Sequence, residues 1–81
     1  MAEVPVVLPQ WGQEMEGARL LEWLRFPGAR VAIDDPICLV ETDKVNAEVV
    51  APASGVLGEL LVTPDEVVAV GTMLTTIETD A

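Results

Sequence analysis

Histidine and tyrosine are absent from this sequence, and cysteine and lysine occur once each, as Cys38 and Lys44. Without histidine the chain lacks the usual general base near neutral pH and the commonest metal ligand. A single cysteine cannot form an internal disulfide, so stability must come from packing, and a reducing compartment is compatible. We therefore expect neither a catalytic residue nor a metal site in this chain.

Positive charge is also scarce, because four basic residues face 14 acidic ones and the net charge is −10. This balance disfavours nucleic acid as a partner, since phosphate backbones attract basic surfaces. No apolar run approaches the roughly 20 residues that span a membrane, and the first residues do not resemble a signal peptide. We expect no membrane association and a cytoplasmic location, or the mitochondrial matrix if a eukaryotic transit peptide was removed.

An internal repeat organises the chain, which at 81 residues is predicted to form one domain over 1-81. A shift of 37 residues aligns the halves: Leu20 with Leu57, Glu22 with Glu59, Pro27 with Pro64, and 40–43 with 77–80. Upstream, 6–9 match 49–52 with a shift of 43. The first half therefore carries extra residues in a loop at about 10–17, which breaks the symmetry.

The repeat predicts an all-β fold in which two four-strand halves are related by a quasi-two-fold axis, as a small eight-strand β-barrel or sandwich. The expected strands are 3-8, 18-26, 29-33, 37-42, 45-51, 55-62, 66-70 and 73-79. Pro5 lies inside the first of them, which places that strand at a sheet edge or delays its start.

The segment from Glu41 to Val45 is predicted to be the tip of a β-hairpin, with Asp43 and Lys44 as turn residues. In this register Val40 faces Ala47 and Cys38 faces Val49, all on the inner face, while Glu41 faces Asn46 and Leu39 faces Glu48 on the outer face. Lys44 then projects from the apex. A lysine there is either an ordinary solvated turn residue or an amine presented for an enzyme to acylate.

The sequence Glu-Thr-Asp-Lys-Val at 41–45 closely resembles the lipoyl-attachment motif of lipoyl domains in the acyltransferase component of 2-oxo acid dehydrogenase complexes. The resemblance extends over nearly the whole chain. It includes Pro9, Gly12, Met15, 22–24, Pro27-Gly28, Val31, Asp35-Pro36 and 51–55. The fold that it implies is a flattened eight-strand barrel-sandwich hybrid, in agreement with the repeat.

The resemblance implies that lipoate is attached to Lys44 and that Glu41, Asp43 and Val45 are read by the attaching enzyme at the tip. By the same resemblance, the loop at 10–17 lies near this lysine and contributes to recognition by the partner decarboxylase. The residues concerned are Trp11, Gln13, Glu14 and Glu16.

Two stretches depart from the family pattern. Gly17-Ala18 stands where the family usually has Glu-Gly, which leaves the shape of the loop open. Asp34-Asp35 replaces the usual Gly-Asp, whereas the second half keeps Gly71. If the backbone there needs a positive φ, Asp34 tolerates it better than most residues.

The partners that the resemblance implies are a lipoate-attaching enzyme, a thiamin-diphosphate 2-oxo acid decarboxylase, an acyltransferase core and dihydrolipoamide dehydrogenase. The motif at 41–49 leans toward branched-chain acids, and the chain is expected to be a fragment of a longer acyltransferase. A biotinyl carrier domain is the nearest alternative, although its lysine typically stands between methionines. A lipoylated glycine-cleavage carrier and an unmodified β-barrel interaction module are the others.

Overall fold

The structure, a computed structural model, describes residues 2–79 and contains eight β-strands in that range. They are β1 (Ala2–Val7), β2 (Gly17–Trp23), β3 (Arg30–Val31), β4 (Pro36–Glu41), β5 (Asn46–Val50), β6 (Gly55–Leu57), β7 (Val67–Ala69) and β8 (Met73–Thr79). The predicted number and order of strands are confirmed. No helix within 2–79 is long and apolar enough to cross a membrane.

The strands form two four-stranded antiparallel sheets, ordered β1-β8-β6-β3 and β5-β4-β2-β7. The fold is therefore a sandwich, as one of the two predicted forms, and not a closed barrel. Each sheet takes two strands from each half of the sequence. The two halves are thus interleaved and do not form separate layers.

Two predicted strands are too long. The strand expected at 18-26 ends at Trp23, and the one expected at 55-62 ends at Leu57. Beyond Leu57 the chain still bonds β8, through Gly58 N–H to the Thr76 carbonyl at 2.7 Å. The Glu59 carbonyl accepts from the side-chain hydroxyl of Thr75 at 2.8 Å. The regular backbone ladder between β6 and β8 has stopped by this point.

The quasi-two-fold symmetry is visible in the hydrogen bonds that join the turns to the sheets. Asp34 N–H donates to the Ala51 carbonyl at 2.9 Å, and the equivalent Gly71 N–H donates to the Leu8 carbonyl at 2.9 Å. Asp34 has a φ of 73° and Gly71 a φ of 89°, so the backbone does adopt the positive φ that Asp34 was expected to tolerate if it were needed. Each half closes this turn with the same geometry.

The core lies between the two sheets and consists of inward-facing residues of both. Its fully buried side chains include Leu8, Leu20, Ile37, Cys38, Val40, Leu57, Leu74 and Ile77. Trp23 is buried, and its indole Nε1–H donates to the Val62 carbonyl at 2.9 Å. Burying this donor with a partner avoids a desolvation cost of roughly 1–3 kcal/mol.

The first strand lies at a sheet edge and has only β8 as a neighbour among the described strands. Pro5 lacks a backbone N–H, and an edge strand tolerates this because its outer side has no strand to bond. Its start pairs with the end of β8, through Ala2 opposite Thr79. The start of the first strand therefore lies beside the end of the last one. Asp80 and Ala81, which the repeat relates to Asp43 and Lys44, lie outside the described residues.

Candidate functional site at the Lys44 hairpin

The hairpin of β4 and β5 has the register that the sequence predicts. Glu41 pairs with Asn46, Val40 with Ala47, Leu39 with Glu48 and Cys38 with Val49. Cys38, Val40 and Val49 are buried, whereas Asn46 and Glu48 are exposed. Because one face packs on the core, a one-residue slip would expose these buried side chains. The core therefore sets the position of the turn.

The tip itself is closed by Thr42. Its backbone N–H donates to the Val45 carbonyl at 3.0 Å, and its hydroxyl donates to the same carbonyl at 2.7 Å. The hydroxyl oxygen also accepts from Val45 N–H at 3.2 Å. Sequence reasoning assigned no role to Thr42. The available signal was a hydroxyl residue directly before a two-residue turn, where such side chains bond nearby backbone groups.

Lys44 is exposed at the apex of this turn. No hydrogen bond or ion pair within residues 2–79 involves its side chain. The neighbouring Asp43 and Val45 are also exposed, Val45 at 62% of its surface. The amine is therefore accessible to an enzyme that docks on the tip.

A groove of about 1090 Å³ runs between this tip, the loop that joins β1 to β2, and β7. It is lined by every residue that the resemblance assigns to lipoate attachment or partner recognition: Trp11, Gln13, Glu14, Glu16, Glu41, Asp43, Lys44 and Val45. The apolar part of the lining includes Met15, Ala47 and the largely exposed Val67. The structure thus brings the loop and the hairpin tip to one surface.

Local hydrogen bonds hold the loop in place. The Gln10 side-chain amide donates to the carbonyls of Gln13 at 3.3 Å and Met15 at 3.2 Å. At the end of the loop, a Cβ on Gly17 would lie 2.3 Å from the Val68 carbonyl oxygen, so only glycine fits there. Ala18 follows with its side chain buried. This close approach gives Gly17 a steric reason, whereas nothing in the structure explains Ala18.

An ion pair in the lining of the groove joins β2 to β4. Arg19 Nη2 lies 2.7 Å from Glu41 Oε1, and the two residues are direct partners in the β2–β4 register. Both side chains are 44% exposed. Sequence reasoning did not single out Arg19, since only the strand order places it opposite Glu41.

The groove carries more negative than positive charge. Glu14, Glu16, Glu41 and Asp43 oppose only Arg19 and Lys44 in its lining. Converting the Lys44 ammonium to an amide would leave Arg19 as the sole cation of the lining. No group of three or more potential metal ligands occurs among the described residues.

Comparison with known proteins agrees with this geometry. The Biotin_lipoyl family, described as biotin-requiring enzyme, matches residues 4–77. The chain belongs to this biotin/lipoyl attachment family. The acetyltransferase component of the acetoin cleaving system of Pseudomonas putida is 39% identical over 69 residues, which are 85% of this chain and 19% of that protein.

Another relative is the lipoamide acyltransferase component of the branched-chain alpha-keto acid dehydrogenase complex of Bacillus subtilis. It is 39% identical over 80 residues, 99% of this chain and 19% of that protein. The chain thus spans about a fifth of the length of these two curated relatives.

Among solved structures, the lipoyl domain of the 2-oxoglutarate dehydrogenase complex from Azotobacter vinelandii superposes with a TM-score of 0.76. It is 28% identical and covers 96% of this chain and 99% of its own. A multi-domain long-chain acyl-CoA carboxylase superposes with a TM-score of 0.79, covering 98% of this chain and 7% of its own, but is only 20% identical and shows the fold alone. The predicted resemblance to lipoyl domains of acyltransferase components is confirmed.

Proposed function

We propose that this domain carries lipoate in amide linkage to Lys44 and moves acyl groups and electrons between the active sites of a 2-oxo acid dehydrogenase complex. The observation that carries the proposal is the exposed side chain of the chain's single lysine at the apex of a hairpin, in a member of an attachment family. The lysine side chain has no competing partner among the described residues, so it fits a covalently attached group.

The residues of the chain supply presentation and recognition. A lysine ammonium is protonated at neutral pH and must lose a proton before its nitrogen can attack an acyl carbon. The attaching enzyme has to dock on Asp43 and Val45, accept that proton and supply an activated acyl group, whose leaving group departs as the amide forms. Lipoate, once attached, supplies the dithiolane that takes up an acyl group and two electrons.

The domain itself acts as a non-catalytic carrier in this proposal. Its partners are the attaching enzyme, a thiamin-diphosphate decarboxylase, the acyltransferase core and dihydrolipoamide dehydrogenase, in the cytoplasm or the mitochondrial matrix. The decarboxylase contacts the groove beside the lysine, including Trp11, Gln13, Glu14 and Glu16. Tethering the arm to the complex raises its effective concentration at each site.

The 2-oxo acid is the open part of the proposal. The leaning toward branched-chain acids stays a prediction, because relatives named for acetoin cleavage and for 2-oxoglutarate are 39% and 37% identical to the chain. Reductive acylation by a panel of decarboxylases will identify the acid that the domain serves.

The attachment is tested by intact mass. The domain is incubated with lipoate, ATP and a lipoate-attaching enzyme, and in parallel with biotin, ATP and a biotin ligase. We expect one lipoyl addition to the wild type and none to Lys44→Arg, whose fold is confirmed by its melting curve. Biotin addition alone would instead support a biotinyl carrier, and no addition in either arm would support an unmodified interaction module.

A further inference from the structure

The turn that carries Lys44 is unusual for a hairpin. Two-residue hairpin loops favour mirror-image turns with a positive φ, because other turns fit the twist of the strands less well. Among the described residues other than glycine, only Asp34 and Asp65 have a positive φ, so neither Asp43 nor Lys44 adopts one. The tip therefore needs another source of rigidity.

The side chain of Thr42 supplies this rigidity to the tip. The hydroxyl bonds both backbone polar groups of Val45, the carbonyl at 2.7 Å as donor and the N–H at 3.2 Å as acceptor. Past the Glu41–Asn46 pair, one backbone hydrogen bond within residues 2–79 joins the two sides of the tip, from Thr42 N–H to the Val45 carbonyl at 3.0 Å, and Asp43, Lys44 and Val45 are exposed. In residues 2–79 no other side chain is hydrogen-bonded to 43–45.

We propose that Thr42 is a positioning residue, whose hydroxyl locks the tip so that the Lys44 amine projects in one direction toward the enzyme that acylates it. This inference rests on the proposed function, because it gives the hydrogen bonds of the Thr42 hydroxyl a role in attachment. Without the hydroxyl, the tip samples several conformations and only a fraction of molecules presents the amine correctly. The apparent affinity of the enzyme for the domain then falls in proportion to the fraction that presents the amine correctly.

The repeat provides a matched control. Thr79 is the equivalent of Thr42 in the second half, and its hydroxyl donates to the Ala2 carbonyl at 3.1 Å. Thr79→Val therefore removes a threonine hydroxyl that bonds backbone, but at a place remote in sequence from the lysine. Thr42→Val removes the lock with little change of shape, and Thr42→Ser retains the hydroxyl.

The first measurement needs no modifying enzyme. Hydrogen exchange of the Val45 amide, followed by NMR, is expected to be about two- to tenfold faster in Thr42→Val than in wild type, the range of one hydrogen bond. Thr42→Ser and Thr79→Val should exchange this amide at the wild-type rate. Equal exchange rates of the Val45 amide in wild type and Thr42→Val would contradict the proposal that the Thr42 hydroxyl holds the tip.

The second measurement is the kinetics of lipoylation by a lipoate-attaching enzyme. For Thr42→Val we expect the KM for the domain to rise roughly tenfold with kcat within about twofold, because a smaller presenting fraction lowers apparent affinity. Thr42→Ser should restore the wild-type KM, and Thr79→Val should not change it. Unchanged KM in Thr42→Val, or loss of kcat that follows a lowered melting temperature, would contradict a positioning role.

The two measurements separate the inference from the function on which it rests. If the wild-type domain is not lipoylated, the proposed function fails and the attachment role fails with it. Val45 exchange then still decides whether the hydroxyl locks the tip. If the wild type is lipoylated and Thr42→Val keeps the wild-type KM, only the positioning role fails.

Discussion

Gly28 and Asp65 occupy equivalent positions of the repeat and share a left-handed backbone, with φ values of 90° and 73°. Gly28 N–H donates to the Leu57 carbonyl at 2.9 Å, and Asp65 N–H donates to the Leu20 carbonyl at 2.7 Å. At the next pair of turns the residue types are exchanged, with Asp34 in the first half and Gly71 in the second. Both halves thus need a positive φ at both turns and meet the need with the two residue types that tolerate it.

Gly28→Ala and Gly71→Ala are therefore expected to destabilise the domain by about 1 kcal/mol each, since a Cβ in the left-handed region costs roughly 1–2 kcal/mol. Neither glycine has a neighbour within 4 Å of the added Cβ, so strain in the backbone is the cause. Urea unfolding measures the change. Gly12→Ala is the control, because Gly12 has the same open space without a positive φ. Equal stability of all three variants would contradict the strain.

Asp43→Ala and Val45→Ala are expected to slow lipoylation or acyl transfer more than they lower stability. Both side chains are exposed, and surface substitutions of this kind usually change the free energy of unfolding by no more than about 0.5 kcal/mol. Val45→Ala also keeps the backbone groups that Thr42 bonds. Acylation rates measured beside melting curves check this. A fall in melting temperature with an unchanged rate would show that these side chains serve the fold.

The Arg19–Glu41 pair is expected to contribute little to stability despite its 2.7 Å separation. Since both side chains are 44% exposed, solvent screens the attraction, and exposed pairs are typically worth less than about 1 kcal/mol. A double-mutant cycle of Arg19→Gln and Glu41→Gln in urea measures the coupling free energy. This coupling should shrink further in about 0.5 M salt, because dissolved ions screen the attraction between exposed charges. A larger coupling that salt does not reduce would mean that the pair is shielded from water.

Burial raises the pKa of the Cys38 thiol from its ordinary value of 9.0 to about 12. Below pH 9 the thiol is neutral in both the folded and the unfolded chain, so this group adds no pH dependence. Between pH 9 and 12 the unfolded chain loses the proton and the folded one keeps it, so stability falls as pH rises, by at most about 1.4 kcal/mol per pH unit. Cys38→Ala should lack this part of the alkaline loss in urea unfolding at pH 8 and pH 10.5. The same slope in both proteins would contradict it.

The sequence was sufficient for the hairpin and its register. Cys38, Val40 and Val49 alternate with polar or outward-facing residues, and because the side-chain period of a strand is two, this pattern admits one register with a buried face. The repeat also aligns Asp34 with Gly71, and the two equivalent turns both have a positive φ, which the sequence alone left as a condition. The predicted strand ends were less accurate. The alternation of residues continues past Leu57, but the Glu59 carbonyl is hydrogen-bonded by the Thr75 side chain and not by a regular backbone ladder.

By itself, the sequence determined the eight strands, the two-fold repeat, the inner face of the hairpin and the lysine at its apex. These follow from local hydrophobic periodicity and from residue types that match particular backbone conformations. Only the tertiary structure decided that the halves interleave into two sheets and that Arg19 meets Glu41. Such contacts join residues distant in the chain, and they depend on strand order and side-chain rotamers that no local pattern specifies.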